Sequence, residues 1–375
     1  MSVMDKALDK IEVEGFKSIR SMSLELRSLN VLIGANGVGK SNFIGVFKLV
    51  NQIVHQSLQV YVGTTGGADA VLHFGRKKTA EMRIKASLGN DFRGYECTLA
   101  PTADDRLIFK QEECWSQDGS LLSVSLESGH SESGLLFSRR KGKAARTEFT
   151  AKEDSVRVDV AQALFNWQVY HFHDTSDSAP VKLTADLEDN HRLRADAANL
   201  AAFLYRLRET SPSNYSNIVA SVRLVFPFFD DFILEPSRLN PDKIRLEWRE
   251  RGSDTYFNAS ALSDGTLRFI CLATLLLQPD LPSTILLDEP ELGLHPYAIN
   301  VLAELLRGAA TKTQVIASTQ SVGLVNQFEP EDVIVVERED QQSVFRHLDR
   351  ADMQSWLDDY GLGDLWEKNV IGGRP

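Results

Sequence analysis

Gly34-Ala35-Asn36-Gly37-Val38-Gly39-Lys40-Ser41 fits the pattern G-x-x-x-x-G-K-[ST], and what flanks such a stretch decides whether it means anything. Upstream, Asn30–Ile33 is a short run dominated by Val, Leu and Ile that stops abruptly at Gly34, as a buried strand does. Downstream, Phe43, Ile44, Val46, Phe47, Val50 and Ile53 recur at three- and four-residue spacing, which is helical. In a strand–glycine loop–helix unit, backbone N–H groups converge on a polyphosphate and the helix N-terminus adds partial positive charge. Lys40 is then placed to set an ammonium on the β- and γ-phosphates, and the Ser41 hydroxyl to ligate Mg²⁺. Gly34, Asn36, Gly37, Gly39 and Asn42 complete the expected cradle. The stretch predicts a nucleoside triphosphate site with Mg²⁺ as a ligand.

Much further along, Thr284-Ile285-Leu286-Leu287-Asp288-Glu289-Pro290 is an apolar run that ends in two adjacent carboxylates. A strand leaving a parallel sheet delivers its last side chains to the ligand crevice. Asp288 is expected to hold Mg²⁺ directly or through water, and Glu289 to orient and deprotonate the attacking water. An acidic cap on the following helix is the plainer alternative. About twenty residues upstream, Leu262-Ser263-Asp264-Gly265-Thr266 opens a Leu-rich helix, with Ser263 and Asp264 as N-cap candidates and Gly265 allowing close backbone approach.

Around these motifs the chain divides. Lys10–Val13 and Met22–Leu26 alternate like half-buried strands. The segments MRIKASL, YECTLA and LIFKQ, broken by Gly, Pro and Asp, predict an antiparallel β region over 80–160. Its tip is expected to carry Arg139-Arg140-Lys141-Gly142-Lys143. Residues 192–225 read as helices interrupted at Ser-Pro-Ser, and 232–258 as strands. Then follow a helix (Gly265–Leu277), a strand (Thr284–Asp288), a helix near 297–308, and strands at Gln314–Ser318 and Asp332–Glu337. That alternation predicts an α/β core with a parallel sheet. The expected division is 1–80 with 255–375 as a discontinuous nucleotide-binding core, and 80–255 as an inserted lobe, β-rich and then helical.

Composition bounds the setting. Among 375 residues there are 41 Lys and Arg against 52 Asp and Glu, a net charge of −11. That balance excludes a whole-body polycation but leaves room for a local basic patch. Cys97, Cys114 and Cys271 are scattered, with no metal-ligand spacing, which points to a reduced, cytoplasmic compartment. No apolar run approaches the roughly 18 residues of a membrane span, and MSVMDKALDKIEVEG does not resemble a signal peptide.

The phosphate loop, LSDGT (262–266), ILLDEPELGLHP (285–296) and VIASTQS (315–321) together resemble the ATP-binding-cassette ATPases. Within them the chain resembles the SMC/RecF/OLD-like branch, whose heads are not transporters. IEVEGFKSI (11–19) is similar to that branch's first strand, while DVIVVERED and WLDDYGLGDLWEKNVIGG resemble prokaryotic single-chain ATPases of the RecF-like or AAA family. The middle matches loosely, through WQVYHFHDTS and DAANLAAFL. The resemblance implies a P-loop NTPase with a mixed sheet core. It further implies that Ser263 and Gly265 belong to a signature motif touching the γ-phosphate held by a second protomer, so that ATP glues a head-to-tail homodimer. Glu291 to His295 would form the loop at the dimer seam. Gln320 stands where transporters carry a switch histidine, and Lys17 matches a basic residue that touches nucleotide phosphate in relatives, although a solvated strand-end lysine fits equally. The Q-loop glutamine stays open anywhere from Gly66 to Gln168.

Other features carry less. His171-Phe172-His173-Asp174 invites a metal reading, yet the two histidines share a strand face that Asp174 leaves, and no third ligand is evident. The basic loops 139–146 and 76–78 could grip a nucleic-acid backbone or simply be solvated. Trp356, Tyr360 and Trp366 are spaced for packing. The function expected is an ATP-gated dimerising ATPase in DNA maintenance, repair or anti-phage defence, working with an effector partner. One alternative is an OLD-type nuclease, disfavoured because only about 40 residues follow Glu337. The other is a transporter subunit, disfavoured by the missing switch histidine and the wide gap from Lys40 to Ser263.

Overall fold

The buried run before Gly34 is a central strand whose two faces serve different cores. In the computed structural model, which describes residues 7–89, 92–117, 121–126, 128–136, 149–357 and 359–374, the chain opens with β1 (Leu8–Phe16), β2 (Ile19–Glu25) and β3 (Leu29–Ile33). The phosphate loop leads into α1 (Lys40–Val54), followed by α2 (Leu58–Thr65) and α3 (Ala68–Val71). Four antiparallel strands follow, β4 (Met82–Leu88), β5 (Arg93–Pro101), β6 (Leu107–Ser116) and β7 (Leu122–Leu126). They extend the β1–β2 hairpin into one sheet of order β2-β1-β4-β5-β6-β7.

Next come α4 (Ala151–Phe165), β8 (Trp167–Tyr170), β9 (Ala185–Asp186), α5 (Leu200–Thr210) and α6 (Pro212–Val225). A small β section holds β10 (Phe229–Ile233), β11 (Lys243–Ile244), β12 (Glu247–Glu250) and β13 (Tyr256–Asn258). The chain ends α7 (Asp264–Leu277), β14 (Thr284–Asp288), α8 (Pro296–Ala310), β15 (Gln314–Ser318), α9 (Val322–Val325), β16 (Val333–Glu339), β17 (Gln342–His347), α10 (Arg350–Leu357) and α11 (Leu362–Glu367).

The second sheet has the order β17-β16-β3-β15-β14-β8. Its pairings are parallel from β16 to β8, with β17 antiparallel at one edge. Leu29, Val31, Ile33, Ile285, Leu287, Val315, Ala317, Val333 and Val335 face a core built with α5 to α9 and α11. Leu32, Leu286, Ile316, Ile334 and Val336 face the opposite core, shared with α1, α4 and the antiparallel sheet. Both faces are covered, so these strands read as continuous apolar runs and not as alternating ones.

Three expectations need adjusting. Residues 151–165 are helical and not part of the β region: Thr150 and Glu153 form a reciprocal capping box that starts α4. Residues 192–199 are irregular, and α5 begins only at Leu200. The boundaries at 80 and 255 do not separate layers, because β4 pairs with β1 and β8 pairs with β14. The basic stretch at 139–146 lies outside the described residues.

Candidate nucleotide site

The carboxyl ends of β3, β15 and β14 lie side by side, with Leu32 paired to Ser318 and Ser318 to Asp288. This register gathers motifs that are far apart in sequence. The phosphate loop curls over the end of β3, with Asn36 and Gly37 exposed at its crown. Gly39 precedes α1 at φ 119°, and a Cβ there would overlap the Ser343 and Ser18 hydroxyls. Those hydroxyls buttress the loop from behind. Ser18 and Ser343 Oγ atoms lie 2.6 Å apart, Asn42 Nδ2 donates to Ser18 Oγ (2.7 Å), and Ser343 Oγ donates to the Val38 carbonyl (2.5 Å).

The Lys40 ammonium folds back onto the Gly34 carbonyl and, at 3.0 Å, onto that of Ala35. Burial pulls its pKa below the ordinary lysine range, while the charges of Glu289, Asp288 and Glu291 push it back up. Ser41, in the first turn of α1, is exposed. Asp288 Oδ1 accepts from the Ser318 hydroxyl. Glu289 adopts φ 44°, a left-handed conformation that costs a non-glycine residue roughly 1–3 kcal/mol. Its N–H donates to the Ser318 carbonyl (2.9 Å), which holds it there, and its carboxylate accepts from the Gln320 side-chain amide.

Ser263 caps α7, accepting from the Thr266 N–H (3.2 Å), and is exposed. Gly265 sits directly under the Gly293 carbonyl, where a Cβ would overlap it. Here the signature-like helix start leans on the loop after Glu289. Buried Arg268, one turn on, binds that loop at the Leu292 carbonyl and the segment after β8 at Phe172 (3.0 Å) and His173 (3.1 Å).

The sequence pattern of a family described as "AAA domain, putative AbiEii toxin, Type IV TA system" matches residues 29–326, from the start of β3 to the residue after α9. The chain belongs to this AAA family. It is an ATP-binding, ATP-hydrolysing P-loop protein with the fold of an ABC- or SMC-type head. Among solved structures, an Smc head bound to the C-terminal winged-helix domain of ScpA matches with TM-score 0.60 at 16% identity, covering 92% of this chain and 99% of that one. An Smc head with an extended coiled coil, bound to the C-terminal domain of ScpA from Pyrococcus furiosus, matches with TM-score 0.56 at 14% identity, covering 94% and 99%. No curated protein matches.

The fold of this AAA-family head brings Lys40, Asp288, Glu289 and Gln320 to one edge, while Ser263 stands apart on α7. Lys17 occupies a left-handed turn (φ 45°) between β1 and β2, where burial lowers its pKa. Its N–H is tied to the Val71 carbonyl (2.9 Å) and its own carbonyl to His73 Nδ1 (2.6 Å). Lys48, on α1, is unpaired among the described residues; burial lowers its pKa, Asp288 raises it and Lys17 lowers it. Sequence reasoning passed over Lys48, Ser343 and Arg268, and took in Ser18 only as part of IEVEGFKSI. No heptad-like or motif spacing marks such residues.

Gln168 lies in β8 beside β14, its amide donating to the Phe165 carbonyl (2.8 Å). His171 is the residue just beyond that strand. Among the described residues no group of His, Cys, Asp or Glu is arranged to hold a metal. His295 caps α8 by accepting from the Tyr297 N–H (3.3 Å). Trp366 is fully buried and donates to the Gly373 carbonyl (2.5 Å), which seats Gly373 against Gly34. No helix among the described residues is long and apolar enough to cross a membrane.

Proposed function

We propose that this ATPase is Mg²⁺-dependent and that two copies close head-to-tail around ATP, Ser263 and Gly265 of each meeting the γ-phosphate in the other's loop. The observation that carries this reading is the placement of Ser263. It sits at an exposed helix start, its hydroxyl committed only to its own helix, while its neighbour Gly265 leans on the loop that follows Glu289. A second copy docking there would be felt at Glu289 through that one loop.

Within each site, backbone N–H groups of 34–41 cradle the phosphates and Lys40 exchanges its two carbonyls for phosphate oxygens. Asp288 and Ser41 suit Mg²⁺, a hard cation that takes one or two protein oxygens beside phosphate and water. Bound Mg²⁺ would neutralise phosphate charge, and Glu289, held by Gln320, would take the proton from the attacking water. Lys17, whose charge is felt by Lys48 on α1, is a further candidate phosphate contact.

We further infer an effector partner and a role in DNA maintenance or anti-phage defence. The family description names a toxin of a Type IV system, and the two Smc heads of like fold are bound to ScpA. DNA contact has less support. Arg76 is committed to Asp69 and Asp105, which leaves Lys77 and Lys78 of that loop for a phosphate backbone.

Sedimentation of Glu289→Gln with and without saturating Mg·ATP tests the dimer: a nucleotide-dependent doubling of mass is expected, and a persistent monomer overturns it. A pulldown with the same variant tests the effector. A gel-shift series across salt concentrations tests DNA, whose binding should weaken steeply as salt rises.

A further inference from the structure

Glu291 has its backbone in one element and its carboxylate in another. Its carbonyl accepts from the Leu294 N–H (2.9 Å), closing the turn whose neighbours Leu292 and Gly293 contact Arg268 and Gly265. Its side chain, only 7% exposed, turns the opposite way into the hydrolytic cluster. There Oε1 accepts from both the Thr319 hydroxyl and the Gln320 N–H (3.2 Å), while Oε2 is buried without a partner among the described residues. Thr319 is itself pinned, its N–H donating to the Leu32 carbonyl (3.0 Å) one residue before the end of β3. A carboxylate buried this deeply is costly, and the two hydrogen bonds that Oε1 accepts offset part of that cost.

We propose that Glu291 is a positioning residue for ATP hydrolysis: it holds the Thr319–Gln320 segment so that the Gln320 amide stays on Glu289, and it ties this hold to the loop contacting α7. A shift of loop 291–295 would then move Gln320, and with it the orientation of the base. The inference rests on Glu289 being the base and needs no dimer.

The experiment compares kcat, KM and nucleotide affinity across variants. Glu291→Ala should lower kcat about tenfold or more with KM and nucleotide affinity within about twofold, because only a hold on the base is lost. Glu291→Gln, whose amide oxygen can accept both hydrogen bonds, should recover kcat to within about threefold of the parent. Thr319→Val keeps the side chain's shape but removes the hydroxyl that donates to Glu291 and accepts from the Ser321 N–H, and should lower kcat alone. Glu291→Ala combined with Gln320→Ala should be no worse than the stronger single variant, since both act on one interaction. A rise in KM matching the fall in kcat, additive losses in the double variant, or unchanged turnover in Thr319→Val would each overturn the proposal. Glu289→Gln separates the two failures. If it still turns over, the base assignment falls and this inference with it. If it is inactive while the Glu291 variants match the parent, the inference alone falls.

Discussion

The side-chain amide of Gln320 donates a hydrogen bond to the carboxylate of Glu289, linking the exits of β15 and β14. Both residues lie just past a strand end, and Glu289 is held in a left-handed conformation by the Ser318 carbonyl. One carboxylate oxygen is thereby occupied and the carboxylate plane oriented before substrate arrives. Glu289→Gln should keep nucleotide affinity and lower turnover by about 10²–10⁴-fold, because the phosphate cradle survives while the base is gone. Phosphate release and nucleotide titration, run side by side, check the split. Gln320→Ala should give a smaller fall, roughly tenfold, since it removes an orienting hydrogen bond and leaves the base.

Lys40 spends its charge on the Gly34 and Ala35 carbonyls. Lys40→Ala removes the cation meant for phosphate while leaving the backbone cradle. Nucleotide affinity should fall about 10- to 100-fold, the worth of one charge-assisted contact. Titration with a fluorescent nucleotide reads this directly, and unchanged affinity would remove Lys40 from the site.

Ser263 is exposed, so a large side chain fits there in the monomer, at the loss of the α7 cap, which costs about 0.5–2 kcal/mol. Ser263→Arg should leave nucleotide affinity within about twofold and lower hydrolysis at least about tenfold, through a blocked docking surface. Hydrolysis in the parent should rise faster than linearly with protein concentration, and this dependence should vanish in the variant.

Gly265 lies where a Cβ would overlap the Gly293 carbonyl. Gly265→Ala must part α7 from the loop after Glu289, which should cost about 1–3 kcal/mol in unfolding free energy, as overpacking generally does. Urea titration gives the value. Gly63→Ala, where a Cβ meets nothing within 4 Å, serves as the control.

Burial, then the nearby charge of Lys48, holds His171 at about 4, down from 6.5. Over that interval the unfolded chain binds more protons than the folded one, so this group withdraws stability as pH falls from 6.5 towards 4. In His171→Asn the melting temperature should fall less steeply across the same window. Equal slopes for parent and variant would show that His171 contributes nothing there.

Local sequence determined the phosphate loop, the strand Thr284–Asp288 and the helix starting near Gly265. Each is a contiguous stretch whose glycines, apolar period or cap residues satisfy one backbone geometry unaided. That α4 is a helix was also written locally, in the Thr150–Glu153 capping box, although its weak amphipathic pattern hid it among strands. Tertiary structure alone decided which distant groups meet. Ser318 falls between Leu32 and Asp288 because parallel strands pair in one register. Gln320 reaches Glu289, and Glu291 turns inward to Thr319, because loops leaving neighbouring strands share one sheet edge. Such meetings leave no periodicity in the chain: they depend on how separated segments stack, and burial of both sheet faces is what fixes that stacking.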